Sequence, residues 1–289
     1  MKRSTPRVTI GLPVFNGEKT IGNAIDTLLA QTYPNFHLHI SDNASTDGTA
    51  RICESFATRD TRITYIRQSH NIGAEANFDF VLSQANSEYF MWAAADDTRS
   101  VDFIELNVRF LDQHPDFVGS TCPVRFAGGD YQSTQMGDAA RAENSPSERV
   151  ERFFDVWHAN GRFYSLFRRE ALVRAKHGIG EFLASDWAIV VRLLAIGKMN
   201  RVDMGSVDLG RGGTSQASAF LASRRTKRLH WVFPIAELVG VTLVATADMP
   251  WWPRIRIAMR LVVFNAQVVS LPLRSALSEL RRKRHGEKC

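Results

Sequence analysis

Residues 89–97 read Tyr-Phe-Met-Trp-Ala-Ala-Ala-Asp-Asp. An apolar and small-residue run of this length is the pattern of a buried strand. It ends abruptly in two adjacent carboxylates, Asp96 and Asp97. Like charges side by side repel unless something positive joins them. At the carboxyl end of a central strand, that something is usually a divalent cation carrying a phosphorylated ligand. An isolated Asp-Asp pair is more often a solvated turn or a helix cap, so the reading turns on what precedes it.

Working back from Tyr89, strand and helix alternate. Val8–Leu12 reads as a buried strand, and Ile21, Ala24, Ile25, Leu28 and Leu29 recur at helical spacing within a helix over 18–31. Phe36–Ser41 is a second strand, Thr49–Thr58 a helix and Ile63–Arg67 a third strand. Ala74, Phe78, Val81, Leu82 and Ala85 mark a further helix, leading into the strand Tyr89–Ala95. Such alternation is that of parallel βαβ crossovers, so the first hundred residues predict half of a doubly wound α/β sheet.

Beyond Asp97 the rhythm loosens. The pattern predicts a helix near 100–113, a strand near 117–126, an inserted polar loop over 127–148 and helices near 149–158 and 185–196. Gly161–Arg168 reads as a strand. The glycine-rich stretch 210–218 reads as a mobile loop.

The chain has 289 residues, 44% hydrophobic and 23% charged, enough for a large core. Its three cysteines, Cys53, Cys122 and Cys289, are scattered, which argues against a disulfide framework and a cysteine zinc site. Met1–Arg7 has no signal-peptide pattern, so the expectation is a reducing, cytoplasmic compartment. The net charge of +6 is uneven: residues 201–289 hold 15 Lys+Arg against 6 Asp+Glu. That sign suits anionic lipid or nucleic acid.

In an open parallel sheet, ligands sit beyond the carboxyl ends of the strands. Three strand ends here carry unusual chemistry: Pro13-Val14-Phe15-Asn16-Gly17-Glu18, Ser41-Asp42-Asn43-Ala44-Ser45-Thr46-Asp47-Gly48-Thr49, and Asp96-Asp97. Asn16, Glu18, Asp47 and Thr49 have the alternative reading of helix caps. Asp42 follows its strand directly and is harder to assign that way.

With Thr9–Asn16, Ser41–Thr49, Asn71-Ile72-Gly73 and Ala95-Asp96-Asp97 in this order and spacing, the chain resembles the family-two glycosyltransferases of GT-A fold. The resemblance is close over 7–100, looser to about 215 and absent beyond. It implies a mostly parallel, Rossmann-like α/β sheet flanked by helices, with a helical C-terminal extension. It places a catalytic domain at 1–215, divided into a nucleotide-binding half (1–100) and an acceptor half (101–215), and a basic, apolar helical region at 216–289. By the same resemblance Asp42 accepts a hydrogen bond from the nucleotide base, an acceptor-only role that suits the N–H edge of uracil, thymine or guanine. Pro13, Phe15, Asn16, Glu18 and Asn71 line the donor, Asp97 ligates Mn²⁺ or Mg²⁺, and Asp96 lies near ribose or metal. One departure concerns the ribose: many relatives carry Asp two residues before the pair, where this chain has Ala94.

The segment Ser185–Leu193 resembles the family's acidic motif at a helix start, which implies that Asp186 removes the acceptor's proton. The usual preceding Glu is here Ser185. Asp at a helix N-terminus is also favoured by the dipole alone, which would lower its pKa. Tyr164 and Trp187 are the expected acceptor contacts, with Phe163 and Phe167 as stacking or core residues. Arg211–Ser215 is read as a loop closing on the diphosphate, and Arg224 and Arg225 as pyrophosphate contacts or a solvated helix face.

No GxSxG, HExxH or CxxC occurs, and the spacings of the P-loop and of the dinucleotide fingerprint fail. In the C-terminal third, Trp231–Ala247 is too short and too interrupted to span a bilayer. Pro250-Trp251-Trp252-Pro253 beside Arg254 and Arg256, and the tail Arg281–His285, suit an anionic membrane interface. The competing reading packs this region on the catalytic domain or into a homodimer.

The resemblance therefore implies an inverting, metal-dependent transferase, and the basic, apolar C-terminus suggests surface-polysaccharide or glycolipid synthesis. Its donor is a nucleotide-diphosphate sugar, UDP-sugar favoured. Its acceptor is a carbohydrate or lipid-linked hydroxyl, nucleic acid is no partner, and its place is peripheral on the inner face of the cytoplasmic membrane. A sugar nucleotidyltransferase is the second enzyme class, though Pro13–Glu18 lacks its basic phosphate loop. A degenerate binding module is the non-catalytic alternative, favoured by Ala94 and Ser185.

Overall fold

The computed structural model describes residues 5–156, 158–210 and 228–284. A seven-stranded sheet forms its centre, built from β1 (Val8–Val14), β2 (Phe36–Asp42), β3 (Ile63–Arg67), β4 (Tyr89–Trp92), β6 (Phe117–Thr121), β8 (Leu166–Arg168) and β9 (Lys198–Arg201). Their order across the sheet is β3-β2-β1-β4-β8-β6-β9. β8 runs antiparallel to both its neighbours, β4 and β6, and the other pairings are parallel.

Every residue of β1 is buried, as expected of a strand covered on both faces. β4 shows how one strand feeds two cores. Tyr89 and Met91 join Val8, Ile10 and Leu12 on one side, while Phe90 and Trp92 join Val81 and Phe167 on the other. The connecting helices are α1 (Ile21–Leu29), α2 (Thr49–Arg59) and α3 (Ala74–Ser83), within a few residues of their predicted bounds. The chain moves outward from β1 through β2 to β3, then crosses back to place β4 on the other flank of β1. That reversal is the topological switch point, where a crevice opens beyond the strand ends.

Several expectations are corrected. The strand predicted over 117–126 is two strands in different sheets, β6 and β7 (Val124–Phe126). Pro123 stands between them without an N–H for a ladder. A three-stranded sheet of order β5-β10-β7 joins β7 to β5 (Thr98–Arg99) and β10 (Val207–Leu209). Gly161–Arg168 is not one strand: Gly161–Tyr164 is a 3-10 turn, and only Leu166–Arg168 pairs. The polar stretch 127–148 contains a short helix, α5 (Ser133–Met136). The following helices are α4 (Phe103–Gln113), α6 (Pro146–Phe153), α7 (Arg169–Lys176), α8 (Ser185–Ile196), α9 (Ala236–Ala245) and α10 (Trp251–Arg284).

The C-terminal helices belong to the main core. Ile235, Leu238, Ile257, Leu261, Phe264 and Val268 pack with Phe154, Trp187, Val190 and Leu194. Each fully buried side chain of this size contributes about 1.5–3 kcal/mol relative to exposure.

Candidate active site

The loops after β1 and β2 are held together by hydrogen bonds between them. The Asn16 N–H donates to Ser45 Oγ (2.9 Å), and the Thr46 N–H donates back to Asn16 Oδ1 (2.8 Å). The Gly17 N–H donates to Thr49 Oγ1 (2.9 Å), and the Glu18 N–H to Asp47 Oδ2 (3.1 Å). Asn16 and Ala44 both adopt positive φ to make these contacts. Asp47 also accepts from the Thr49 N–H and hydroxyl. Against some desolvation, these donors hold its carboxyl below the usual range. Phe15 projects into solvent beside this loop pair. Pro13 lies within β1, beside Ser41 of β2. The Glu18 carboxylate lies over Gly48, so close that a Cβ there would stand 2.2 Å from its Oε1.

Asp42 is not the open acceptor that the motif suggests. Its side chain is 0% exposed. Oδ1 accepts the Ser45 N–H (2.8 Å), and Oδ2 accepts the Tyr65 hydroxyl (2.8 Å). As folded here it is a strut of its own loop, with no exposed oxygen to offer a base N–H. Asn43 is a strut too. It donates to Asn71 Oδ1 (2.9 Å) and to the Gly73 carbonyl (3.1 Å), and accepts from the Ile72 N–H (2.8 Å). Asn71 therefore shapes the third loop from an exposed position.

Asp97 differs from these. It is buried, and its Oδ1 accepts the Gly210 N–H (2.9 Å), but its Oδ2 has no hydrogen-bond partner among the described residues. Burial pushes its carboxyl up to about 6, against the pull of Arg99. Arg99 is itself buried and donates to the Trp92 carbonyl (2.9 Å). Gly210 closes over half-buried Asp96, where a Cβ would stand 2.0 Å from Asp96 Oδ2, so only glycine fits. An orphaned carboxylate oxygen beside a second carboxylate fits a hard cation. The described residues offer no cluster of three or more His, Cys, Asp or Glu for a metal. The remaining ligands would be diphosphate and water oxygens, the habit of Mg²⁺-type sites.

Asp186 sits in the first turn of α8, half-buried. The sequence predicts a pKa lowered by the helix dipole. Desolvation raises it instead, opposed by a hydrogen bond from Asn160 Nδ2 to Asp186 Oδ2 (2.8 Å). Asn160 is buried in the left-handed region, φ 53°, and its N–H donates to His158 Nδ1 (3.0 Å). His158 Nε2–H donates to the Phe153 carbonyl (3.2 Å). Burial first, then Arg162, lowers the imidazole to about 3, so it is neutral with that tautomer fixed.

Tyr164 feels the charge of both carboxylate groups. Burial raises its phenol well above the usual range, and the charges of Asp97, Asp186 and Asp96 add to the rise. The paired carboxylates and Asp186 thus lie in one neighbourhood of the fold. Trp187, expected at the acceptor, faces the core instead: it is 4% exposed, stacked on His158 (4.1 Å, 9°) and packed against Phe153 and Phe264. Phe163 stacks on Trp92 (4.7 Å, 11°), and Phe167 is fully buried, so both are core residues. Arg211–Ser215, Arg224 and Arg225 lie outside the described residues.

Sequence reasoning missed Asn160, Arg99 and Tyr65. The Asn160-Gly161 dipeptide is a turn signal that could have drawn attention to the first. It also missed Glu75, at the start of α3, which accepts from the Ser185 hydroxyl (2.9 Å). That contact ties the donor half to the helix carrying Asp186.

The model of glycosyl transferase family 2 matches residues 9–174, more than half of the chain. The chain belongs to glycosyltransferase family 2. Among its relatives is the putative glycosyltransferase EpsE of Bacillus subtilis, 34% identical over 112 residues, which are 38% of this chain and 40% of EpsE. The aligned part is thus about two fifths of that relative's length. Among solved structures, S. aureus TarS residues 1–349 in complex with UDP superposes with a TM-score of 0.63 at 17% identity, over 88% of this chain and 70% of that one. The mannosyltransferase PcManGT from Pyrobaculum calidifontis, in complex with GDP-Man and Mn²⁺, gives 0.53 at 19% identity, over 96% and 80%. At these identities the likeness shows the fold: a mostly parallel GT-A-like sheet with C-terminal helices.

Proposed function

We propose that this family-2 chain is an inverting glycosyltransferase that moves a sugar from a nucleotide-diphosphate sugar to an acceptor hydroxyl. The observation that carries the reading is a pair of desolvated carboxylates, Asp97 with an orphaned oxygen and Asp186 at a helix start, whose charges both act on Tyr164. The nucleoside lies over the loops of Pro13, Phe15, Asn16, Glu18, Asp42 and Asn71. UDP is the favoured nucleotide, supported by the UDP complex of a protein with this fold. Asp97, with Asp96, would hold Mn²⁺ or Mg²⁺, which when bound neutralises the departing diphosphate; the Mn²⁺ complex of PcManGT supports that choice.

Asp186 receives the proton of the acceptor hydroxyl. The hydroxyl oxygen attacks the anomeric carbon from the face opposite the diphosphate. The carbon–oxygen bond to the diphosphate breaks, and its electron pair leaves with the diphosphate. A base with a raised pKa is better matched to this work than an ordinary Asp. Asn160 fixes which oxygen faces the acceptor. The acceptor is a carbohydrate or lipid-linked hydroxyl of surface-polysaccharide or glycolipid synthesis. That class is suggested by the basic, apolar C-terminal third of the chain.

The test is nucleotide-diphosphate release from UDP-, GDP- and dTDP-sugars with Mn²⁺, Mg²⁺ or EDTA, for wild type, Asp97→Asn and Asp186→Asn. Slow hydrolysis of one donor, lost with EDTA and in Asp97→Asn, is the expected result. Binding of one nucleotide without turnover, with or without acceptor sugars, would instead make the chain a binding module.

A further inference from the structure

Helix α10 is apolar on two opposite faces. Ile257, Leu261, Phe264 and Val268 point into the core at helical spacing. On the other side Trp251 (72% exposed), Ile255 (50%), Met259 (63%) and Val262 (62%) form a second stripe, widened by Trp252 and Val263. A surface helix ordinarily turns charged residues to water, and one apolar all round is covered on every side. The Asn265 amide donates to the Val232 carbonyl (3.0 Å), which brings exposed Trp231 and Val232 alongside. A contiguous patch of this size on a folded chain marks an interaction surface.

The flanks say what covers it. At 100° per residue, Arg254 lies to one side of the stripe, with Arg256 and Arg260 on the other. Arg256 sits over the Trp252 ring (4.4 Å) and pairs with Glu151 (2.7 Å), and Arg260 pairs with Glu151 and Asp155. Arg254 has no carboxylate within ion-pair distance among the described residues. Further along the same helix come Arg281-Arg282-Lys283-Arg284. An apolar stripe with indoles at one end, Arg254 along one edge and a basic run further along the same helix matches a headgroup–acyl boundary carrying anionic phosphates. A second copy fits less well, because self-pairing of this face offers no carboxylate to Arg254 from the stripe itself. No helix among the described residues is long and apolar enough to cross a membrane, so the contact is with the surface.

We infer that the outer face of α10, with Trp231 and Val232, is a docking surface for anionic lipid. The inference stands on this face alone and is independent of the catalytic reading. The test is flotation of the full chain with phosphatidylglycerol–phosphatidylcholine vesicles and with phosphatidylcholine vesicles, for wild type, Arg254→Glu and the double variant Ile255→Asp/Val262→Asp. These positions are exposed or half-exposed, and thermal melting followed by circular dichroism checks that the variants fold. The expected result is binding to the anionic vesicles, weakened by salt and by Arg254→Glu and reduced about ten-fold or more by the double variant. Three outcomes overturn it: no binding to anionic vesicles, equal binding by the double variant, or a dimer by sedimentation that the double variant abolishes. The last would assign the face to a second copy.

Discussion

Asp42 and Asp47, at the end of β2, accept hydrogen bonds on both oxygens, and each bond closes a loop. Asp97 and Asp186, some fifty and a hundred and forty residues further on, are desolvated, and Asp97 keeps one oxygen with no donor among the described residues. All four are the same side chain at a strand end or helix start. The saturated pair fixes shape. The desolvated pair stores the capacity to take a cation or a proton. A buried polar group left without its partner is costly, so it points to a ligand, whereas a satisfied one points to architecture.

The largest effect that could break this division is at Asp186. Asp186→Asn keeps the shape and the bond from Asn160 but removes the base. Turnover of whichever donor is used should fall by about 10²–10⁴-fold. Stability should move the other way. A carboxyl whose folded pKa lies above its unfolded value contributes stability only at low pH, and loses it as pH rises through the folded pKa. Above that folded pKa the ionised Asp186 is a net cost, so there the amide should melt at the same temperature or higher. A variant that melted lower with turnover intact would move Asp186 into the architectural class.

Asp42 supplies the opposite case. Asp42→Ala strands the Ser45 N–H and the Tyr65 hydroxyl, and should lower stability by about 2–4 kcal/mol. In a chain of this size that is a drop of several degrees or more, read by calorimetry. Nucleotide affinity should fall with the loop it organises. If affinity collapsed with no loss of melting temperature, Asp42 would be a direct reader of the base.

The same contrast explains what could be read from sequence. β1, β2 and β4 were legible because strands covered on both faces are continuous apolar runs, and their ends were legible because motif residues there are contiguous in the chain. Trp187 was misplaced although its surroundings were legible: Trp187–Val191, with Leu193 and Leu194, is apolar around the whole helix, the signature of a buried one. Asn160, Tyr65 and Glu75 were not legible. Each acts through a partner 23 to 110 residues away, brought near by packing that no local pattern encodes. The split at Pro123 was visible as a proline, but its consequence, two strands in two sheets, depends on β10, which lies over 80 residues on.

A smaller effect separates positioning from chemistry. Asn160→Ala removes a donor that favours the ionised form of Asp186, so the raised pKa should rise further. The acidic limb of the kcat/KM–pH profile should then shift to higher pH, with about a ten-fold loss at the optimum. Asn160→Asp places a second carboxyl there and should shift the limb further the same way. A uniform loss with an unmoved limb would make Asn160 a packing residue only.

Tyr65→Phe is the finest cut. Its hydroxyl is donated to Asp42 Oδ2, and burial followed by that carboxylate raises its phenol well above the usual range, so at neutral pH it is a committed donor. Removing the hydroxyl should cost about 1 kcal/mol, since the carboxylate keeps its Ser45 bond and Arg67 lies 3.8 Å away. The information is in the nucleotide. If Asp42 serves only as a strut, loosening it should weaken nucleotide binding a few-fold, in step with the lost stability. If Tyr65 occupies the oxygen that the base would use, freeing it should leave affinity unchanged or tighten it even as melting falls. Opposite signs for stability and affinity from one deleted oxygen would show that Asp42 serves the loop in the free chain and the base in the complex, and that the line between the two carboxylate sets is crossed when donor binds.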